Sequence, residues 1–296
     1  MLVKRFSDLF DGVKGRNRRL AVAHPYGGEV IRALEEARRE GIARSLLVGD
    51  REKIDASFEE AEISQDDYEI IHAPGEWEGA LKSASLVASG EADALMKGKL
   101  PTALFLKAAL DEEKGLRTGS LLSHIVLMDA AKIGRLIMIT DSGMVLSPTL
   151  QDKVMIIGNA VEYASRLGWN NPKIAAVAHV ETVNPKSQAT LDAALLAGMS
   201  RRGQIKGCII DGPFGLDNAL SEEAAAVKGI SSPVAGNADI ILVPDVLSGN
   251  LMAKAMMYTA DCAFGGLVVG GKAPIIMLSR ADDAATKLNS IVMGLL

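Results

Sequence analysis

Between residues 273 and 292 the sequence reads APIIMLSRADDAATKLNSIV, and Ser279-Arg280 stands where an apolar run gives way to two aspartates and a helical pattern. The start of a helix carries partial positive charge, so a cation there is disfavoured by about 0.3–1 kcal/mol. An oxyanion held by the arginine fork and backbone N–H groups offsets that cost. Ser279 with Asp282 three residues on has the spacing of a capping box, which accounts for serine and aspartate but not for Arg280. Ala284, Ala285, Leu288, Ile291, Val292 and Leu295 mark the buried helix face. Asp282, Thr286 and Asn289 fall on another face that could line a cleft.

Four further polar clusters sit at the ends of apolar runs, where open α/β sheets bind ligands. MKGKLPTALFLKAAL brings Lys97, Thr102 and Lys107 to a strand end and the helix after it, with Pro101 suited to the first turn. GLRTGSLLSH places Arg117 and Thr118 in a turn. ITDSGMVLSP sets Asp141 at a strand end and Ser147 at a helix start. VPDVLSGNLMAKAM offers Asp245, then Asn250 and Lys254 at the start of a helix. Cationic and N–H donors gathered at helix starts describe a site for an anion.

Other chemistries find little footing. The four histidines, His24, His72, His124 and His179, lie about fifty residues apart and read as strand-end residues with structural hydrogen bonds, so no metal site is expected. No G-x-G-x-x-G or G-x-S-x-G occurs. GLVVGGK (266–272) mimics a P-loop, but Ala273 stands where Ser or Thr would bind magnesium, and the run leads into a strand. No two aspartates sit four apart, which weakens a helix-borne magnesium site. Cys208 and Cys262 read as small hydrophobes in a reducing cytoplasm, the expected location. Net charge is -5 and the basic clusters RNRR and RR lack interleaved aromatics, so a nucleic-acid partner is not expected. No apolar run approaches the ~18 residues of a membrane span, and the opening MLVKRFSDLFDG lacks a signal-peptide core.

The elements that must position these clusters follow from the apolar runs. RLAVAH, RSLLVG, YEIIHA, ADALMKG, SHIVLMD, RLIMIT, KIAAVAH, IKGCIID, ADIILVP and APIIMLS read as strands, most of them buried on both faces. Helical segments alternate with them. GGEVIRALEEARREG ends on Gly41, and SPTLQDKVMIIGNAVEYASRLG opens with Ser147 as cap and Pro148 in the first turn. SEEAAAVKG is capped by Ser221 and closes at Gly229. The expectation is an α/β fold with mainly parallel sheet; about ten strands exceed one compact sheet and point to two lobes.

Taken together, ARREGIARSLLVGD, MKG, GLRTG, TLDAALL, RGQIKGCIIDGP, ALSEEAA, SGN, SRAD and TKLNSI resemble the phosphate acetyl/butyryltransferase family along essentially the whole chain. The resemblance implies acyl-CoA + phosphate ⇌ acyl phosphate + CoA, by direct transfer in a ternary complex with butyryl favoured over acetyl. It implies a homodimer or higher homo-oligomer with no metal, prosthetic group or cofactor beyond coenzyme A as substrate. It also implies two lobes with a cleft between them, an isocitrate/isopropylmalate dehydrogenase-like architecture. The first lobe is expected over residues 1–120 plus 267–296, the second over 121–266. Ser279 would hydrogen-bond the thiol sulfur and Arg280 would hold phosphate. The base aspartate of the acetyltransferase branch falls in register on Thr286, leaving Asp282 as the chosen base and Asp283 as its neighbour. Lys107 occupies a position where relatives often place arginine, losing the bidentate fork. Arg201 and Arg202 could meet coenzyme A phosphates, although a solvated loop suits them better. The alternatives weighed are acetyl-CoA as the substrate, a metal- and NAD-dependent decarboxylating dehydrogenase, and a non-catalytic binding protein.

Overall fold

The computed structural model describes residues 2–277 and 282–296. Its elements in chain order begin with α1 (Phe6–Val13), β1 (Arg18–Ala23), α2 (Gly28–Arg39), β2 (Ala43–Gly49), α3 (Arg51–Ala61), β3 (Glu69–His72), α4 (Glu76–Ala88), β4 (Ala94–Lys97) and α5 (Thr102–Ala109). There follow β5 (Ser123–Ala130), β6 (Leu136–Thr140), α6 (Leu150–Arg166), β7 (Lys173–Val177), α7 (Gln188–Arg201), β8 (Ile209–Phe214), α8 (Leu216–Leu220), α9 (Glu222–Val227), β9 (Ile240–Leu242) and α10 (Val246–Thr259). The described elements close with β10 (Cys262–Val269), β11 (Ile275–Met277) and α11 (Ala284–Leu295).

The chain divides into two compact units, both discontinuous. A terminal unit takes Ser7–Ser120 with Gly265–Leu296, and a middle unit takes the chain up to Phe6 with Leu121–Phe264. The sequence reading put the first six residues with the terminal segment. They group instead with the middle one, because Leu136 N–H donates to Lys4 O and Val3 N–H to Leu167 O, at 3.1 and 2.9 Å. Arg5 pairs with Asp129 at 2.8 Å, and the Trp169 indole N–H donates to Val3 O at 2.8 Å.

In the terminal unit the strand order is β3-β2-β1-β4-β11-β10, parallel throughout except for the antiparallel β10–β11 pair. Leu20, Val22, Leu46, Leu47 and Leu95 are fully or almost fully buried, as strands covered on both faces require. In the middle unit the order is β5-β6-β9-β7-β8, with β5–β6 antiparallel and the remaining pairs parallel. Its core packs Ile137, Ile139, Ile241, Val234 and Phe214 together.

Local rules set most helix starts. Asp50 caps α3, Ser221 caps α9 and Asp245 caps α10, each accepting a backbone N–H of the first turn. One expected cap moves: α6 opens two residues later than expected, with Thr149 and Asp152 forming a reciprocal capping box in place of Ser147. α11 is capped by Asp283, which accepts the Thr286 N–H; the capping expected of Ser279 falls outside the described residues. Ala284 and Ala285 are exposed, whereas Lys287 through Leu295 are all buried, so Asn289 lies in packed surroundings and lines no open face.

Between α6 and α7 a buried ion pair joins Lys153 Nζ to Asp192 at 2.6 Å, with side-chain exposures of 5% and 4%. Gln188 Nε2 donates to the other Asp192 oxygen. Such a pair contributes little over a matched apolar pair, but removing one partner leaves an uncompensated charge. Lys153→Met should therefore lower unfolding free energy by about 3–5 kcal/mol, and Lys153→Met with Asp192→Leu should recover most of it, read by chemical denaturation. Equal losses in the single and double variants would contradict the assignment.

Candidate active site

In the terminal unit, parallel register brings three strand ends level. Ala23 of β1 and Met277 of β11 both pair with Lys97 of β4. The turn after β4 then closes tightly on β1: Gly98 N–H donates to Ala23 O and Lys99 N–H to His24 O, both at 2.8 Å. A Cβ on residue 98 would lie 2.1 Å from the His24 carbonyl oxygen, so only glycine fits. Lys97 turns its ammonium onto the carbonyls of Gly98 and Leu100, each at 3.1 Å, and thereby ties down the loop into α5.

Thr102 opens α5 behind Pro101, which stands at the N-cap and supplies no side-chain cap. Lys107 lies in the last turn of α5 with its ammonium 5.5 Å from the Trp77 ring centroid, a cation–π contact with α4. Arg117 pairs with Glu112 on the surface. Thr118 donates its hydroxyl to Gly270 O at 2.7 Å and accepts the Ser120 N–H, pinning its turn to the β10–β11 connection. Ser279 and Arg280, the residues on which the anion argument rests, lie outside the described residues. Asp282 is half-buried, and the Thr286 N–H holds the Asp283 carboxyl below its ordinary range.

In the middle unit the carboxyl end of β6 carries a dense knot. Asp141 is 2% exposed. Its Oδ1 accepts N–H groups from His124, Gly143 and Met144 at 3.1, 2.9 and 3.0 Å, and its Oδ2 accepts that of Val145 at 2.9 Å. The sequence reading placed Asp141 against the ligand; its carboxylate is instead occupied by backbone donors and builds the loop. Asp245 likewise serves α10, accepting from the Ser248 N–H and hydroxyl at 2.8 Å each. Asn250 Nδ2 donates to Ser142 O at 3.4 Å. A Cβ on residue 249 would fall 2.7 Å from Asp141 O, so glycine there lets α10 press onto the loop. Lys254 is exposed on α10.

The expected residues thus form two sets. Lys97, Thr102, Lys107, Arg117, Thr118 and Asp282 belong to the terminal unit; Asp141, Asp245, Asn250 and Lys254 belong to the middle one. Sequence reasoning treated His124 as an ordinary strand-end residue. Its ring Nδ1 lies 2.7 Å from Ser142 Oγ, and burial holds its pKa below the ordinary imidazole value while Asp141 opposes part of that shift. A histidine and a serine eighteen residues apart carry no motif; only the β5–β6 pairing joins them. Among the described residues, no group of three or more His, Cys, Asp or Glu could hold a metal ion. Burial raises the Cys208 thiol to about 11 and also raises Cys262. Both therefore stay protonated at neutral pH, poor nucleophiles as they stand.

Residues 76–295 match the family described as Phosphate acetyl/butaryl transferase, and that span exceeds half the chain. The chain belongs to this family. It is 43% identical over 296 residues to a phosphate butyryltransferase of Clostridium acetobutylicum, covering 100% of this chain and 98% of the relative. It is also 43% identical to a phosphate acetyltransferase of Thermotoga maritima, over 97% of each chain. Among solved structures, a branched-chain phosphotransacylase from Enterococcus faecalis V583 superposes with a TM-score of 0.84 at 30% identity, covering 94% of this chain and 98% of that one. The family's match takes in β4, the Asp141 loop and α10.

The Asp141 knot can be tested directly. Asp141→Ala strands four backbone N–H groups and should lower unfolding free energy by at least about 2 kcal/mol. Asp141→Asn keeps one acceptor oxygen and should cost less. Denaturant midpoints of the two variants give the order, and equal midpoints would refute the carboxylate's role.

Proposed function

We propose that this protein moves a short-chain acyl group between coenzyme A and inorganic phosphate: butyryl-CoA + phosphate ⇌ butyryl phosphate + CoA. The observation that carries the reading is full-length identity of 43% to a phosphate butyryltransferase, within a family whose description names this activity. Transfer is direct, with both substrates bound and no covalent intermediate on the protein. Placing them together supplies much of the rate. No metal or prosthetic group takes part, and coenzyme A is a substrate.

Arg280 holds the phosphate and stabilises negative charge developing on the carbonyl oxygen, and Ser279 hydrogen-bonds the thiol sulfur. Both follow Met277, whose strand ends level with Lys97. Lys97, Thr102, Lys107, Arg117 and Thr118 are the terminal unit's candidates for phosphate and coenzyme A contacts; Asn250 and Lys254 are those of the middle unit. A thiol with a pKa of roughly 8.5 is only partly ionised at neutral pH, so a base must take its proton. Asp282 is one candidate, since Asp283 is committed to capping α11.

The protein works as a homodimer in the cytoplasm on this reading. Leu247, Leu251 and Tyr258 leave an apolar stripe on α10 that is 66%, 60% and 68% exposed, a surface suited to a second copy. Among the described residues no helix is long and apolar enough to cross a membrane. The isocitrate/isopropylmalate dehydrogenase-like architecture stays part of the reading, supported by the discontinuous division of the chain.

The deciding assay is phosphate-dependent release of CoA from acetyl-, propionyl-, butyryl- and isobutyryl-CoA with EDTA present. Two extra buried CH₂ groups at ~0.8 kcal/mol each predict roughly a tenfold advantage of butyryl over acetyl in kcat/KM. Faster turnover of acetyl-CoA would move the reading to a phosphate acetyltransferase. Arg280→Ala should fold normally and lose at least ~10²-fold in kcat/KM, as for a lost charged transition-state donor. Near-normal turnover would remove Arg280 from the site.

A further inference from the structure

The middle unit presents one imidazole that no step above uses. His124 is the second residue of β5, beside Ile125, which pairs with Thr140 at the carboxyl end of β6. Strand ends of this kind are where open α/β sheets meet their ligands. Two contacts fix the residue: Asp141 accepts its backbone N–H at 3.1 Å, and Ser142 Oγ lies 2.7 Å from Nδ1. Gly143 lies against the ring, where an added Cβ would come within 3.2 Å of the imidazole Cγ. The residue is only partly buried, and Nδ1 is the ring nitrogen turned to Ser142. His24 differs, being 2% exposed with Nε2 buried and without a hydrogen-bond partner.

We propose that His124 takes the coenzyme A thiol proton through Nε2. The inference rests on the acyl-transfer reading above and names the proton acceptor within it. In the direction from acyl phosphate, the S–H proton passes to Nε2 and the thiolate attacks the acyl carbonyl carbon. A C–S bond forms, the C–O bond to phosphate breaks, and its electron pair leaves on the phosphate oxygen. The imidazolium gives its proton to that oxygen directly or through water, which restores the neutral imidazole. In the reverse direction a phosphate oxygen attacks the thioester, the C–S bond breaks, and the departing sulfur takes its proton back from the imidazolium. Ser142 sets the tautomer: with Nδ1–H donating to its oxygen, the lone pair is left on Nε2. Asp141 is the charged group beside the ring, and burial outweighs it, so the imidazole is neutral at pH 7 and ready to accept. Asp141 itself is occupied by four N–H groups.

The test measures kcat for butyryl phosphate plus CoA from pH 5.5 to 9 in the full-length wild type, His124→Ala, Ser142→Ala and Asp282→Asn. Wild-type kcat should be level through neutral pH and fall only below the ordinary imidazole value of ~6.5, because burial lowers the His124 pKa and a general base is lost on protonation. His124→Ala should lose ~10²-fold at pH 7 and then rise about tenfold per pH unit toward the thiol pKa of ~8.5, with added imidazole restoring part of the rate. Ser142→Ala should keep the plateau with less than ~10-fold loss, since it removes the orienting bond and not the base. Should His124→Ala fail to fold, His124→Asn, which can still hydrogen-bond Ser142, is read in its place. A wild-type plateau in the His124 variant overturns the proposal, as does the log-linear rise appearing in Asp282→Asn alone. A wild type with no phosphate-dependent acyl transfer overturns the parent reading instead, and the two failures are distinct.

Discussion

A buried carboxylate is costly unless its oxygens find donors, and the middle unit is arranged around one that does. Asp141 gathers four N–H groups from β5 and from its own loop, so the chain from residue 141 to 145 has little freedom left. What sits on that loop inherits its rigidity. Ser142 is held by His124 at its hydroxyl and by Asn250 at its carbonyl, while Gly249 lets α10 close against it. Preorganised polar groups of this kind need no rearrangement when charge develops nearby, the usual source of electrostatic advantage in enzymes.

The terminal unit solves the same problem with backbone rather than with a carboxylate. Its level strand ends, the tight Gly98 turn and the Lys97 ammonium on two carbonyls fix the loop entering α5. Lys107 and Arg117, read from the sequence as free cations for phosphate, each have a neighbour: Trp77 for one, Glu112 for the other. Neither neighbour is buried, and exposed contacts of this sort are weak, so both side chains can exchange them for an anionic substrate.

Buried parallel strands announce themselves as unbroken apolar runs, and that is why RLAVAH, RSLLVG and KIAAVAH could be read directly. The failures share a cause as well. Cys262–Val269 is absent from the expected strand runs, because its pairing with β11 depends on a partner further along the chain. β8 runs to Phe214, past the expected end at Asp211, since its register is set by β7. The cap expected at Ser147 lost to Thr149, whose side chain reaches an orphan N–H group of the first turn. The polar clusters at strand ends were legible from residue type; which of them spend their charge on the protein itself was not. Asp141 looks like a ligand residue until its four donors are counted, and His124 looks ordinary until the β5–β6 pairing sets Ser142 against it.

The strand order of the terminal unit also bears on how the molecule assembles during synthesis. β11 pairs along β4 in that sheet, and α11 is buried from Lys287 to Leu295. Both come from residues translated after the whole of Leu121–Phe264. On the ribosome the middle unit can therefore close first, while one flank of β4 stays bare until its neighbour arrives. For that interval the nascent chain carries an open sheet edge, and shielding it falls to whatever meets the chain as it emerges.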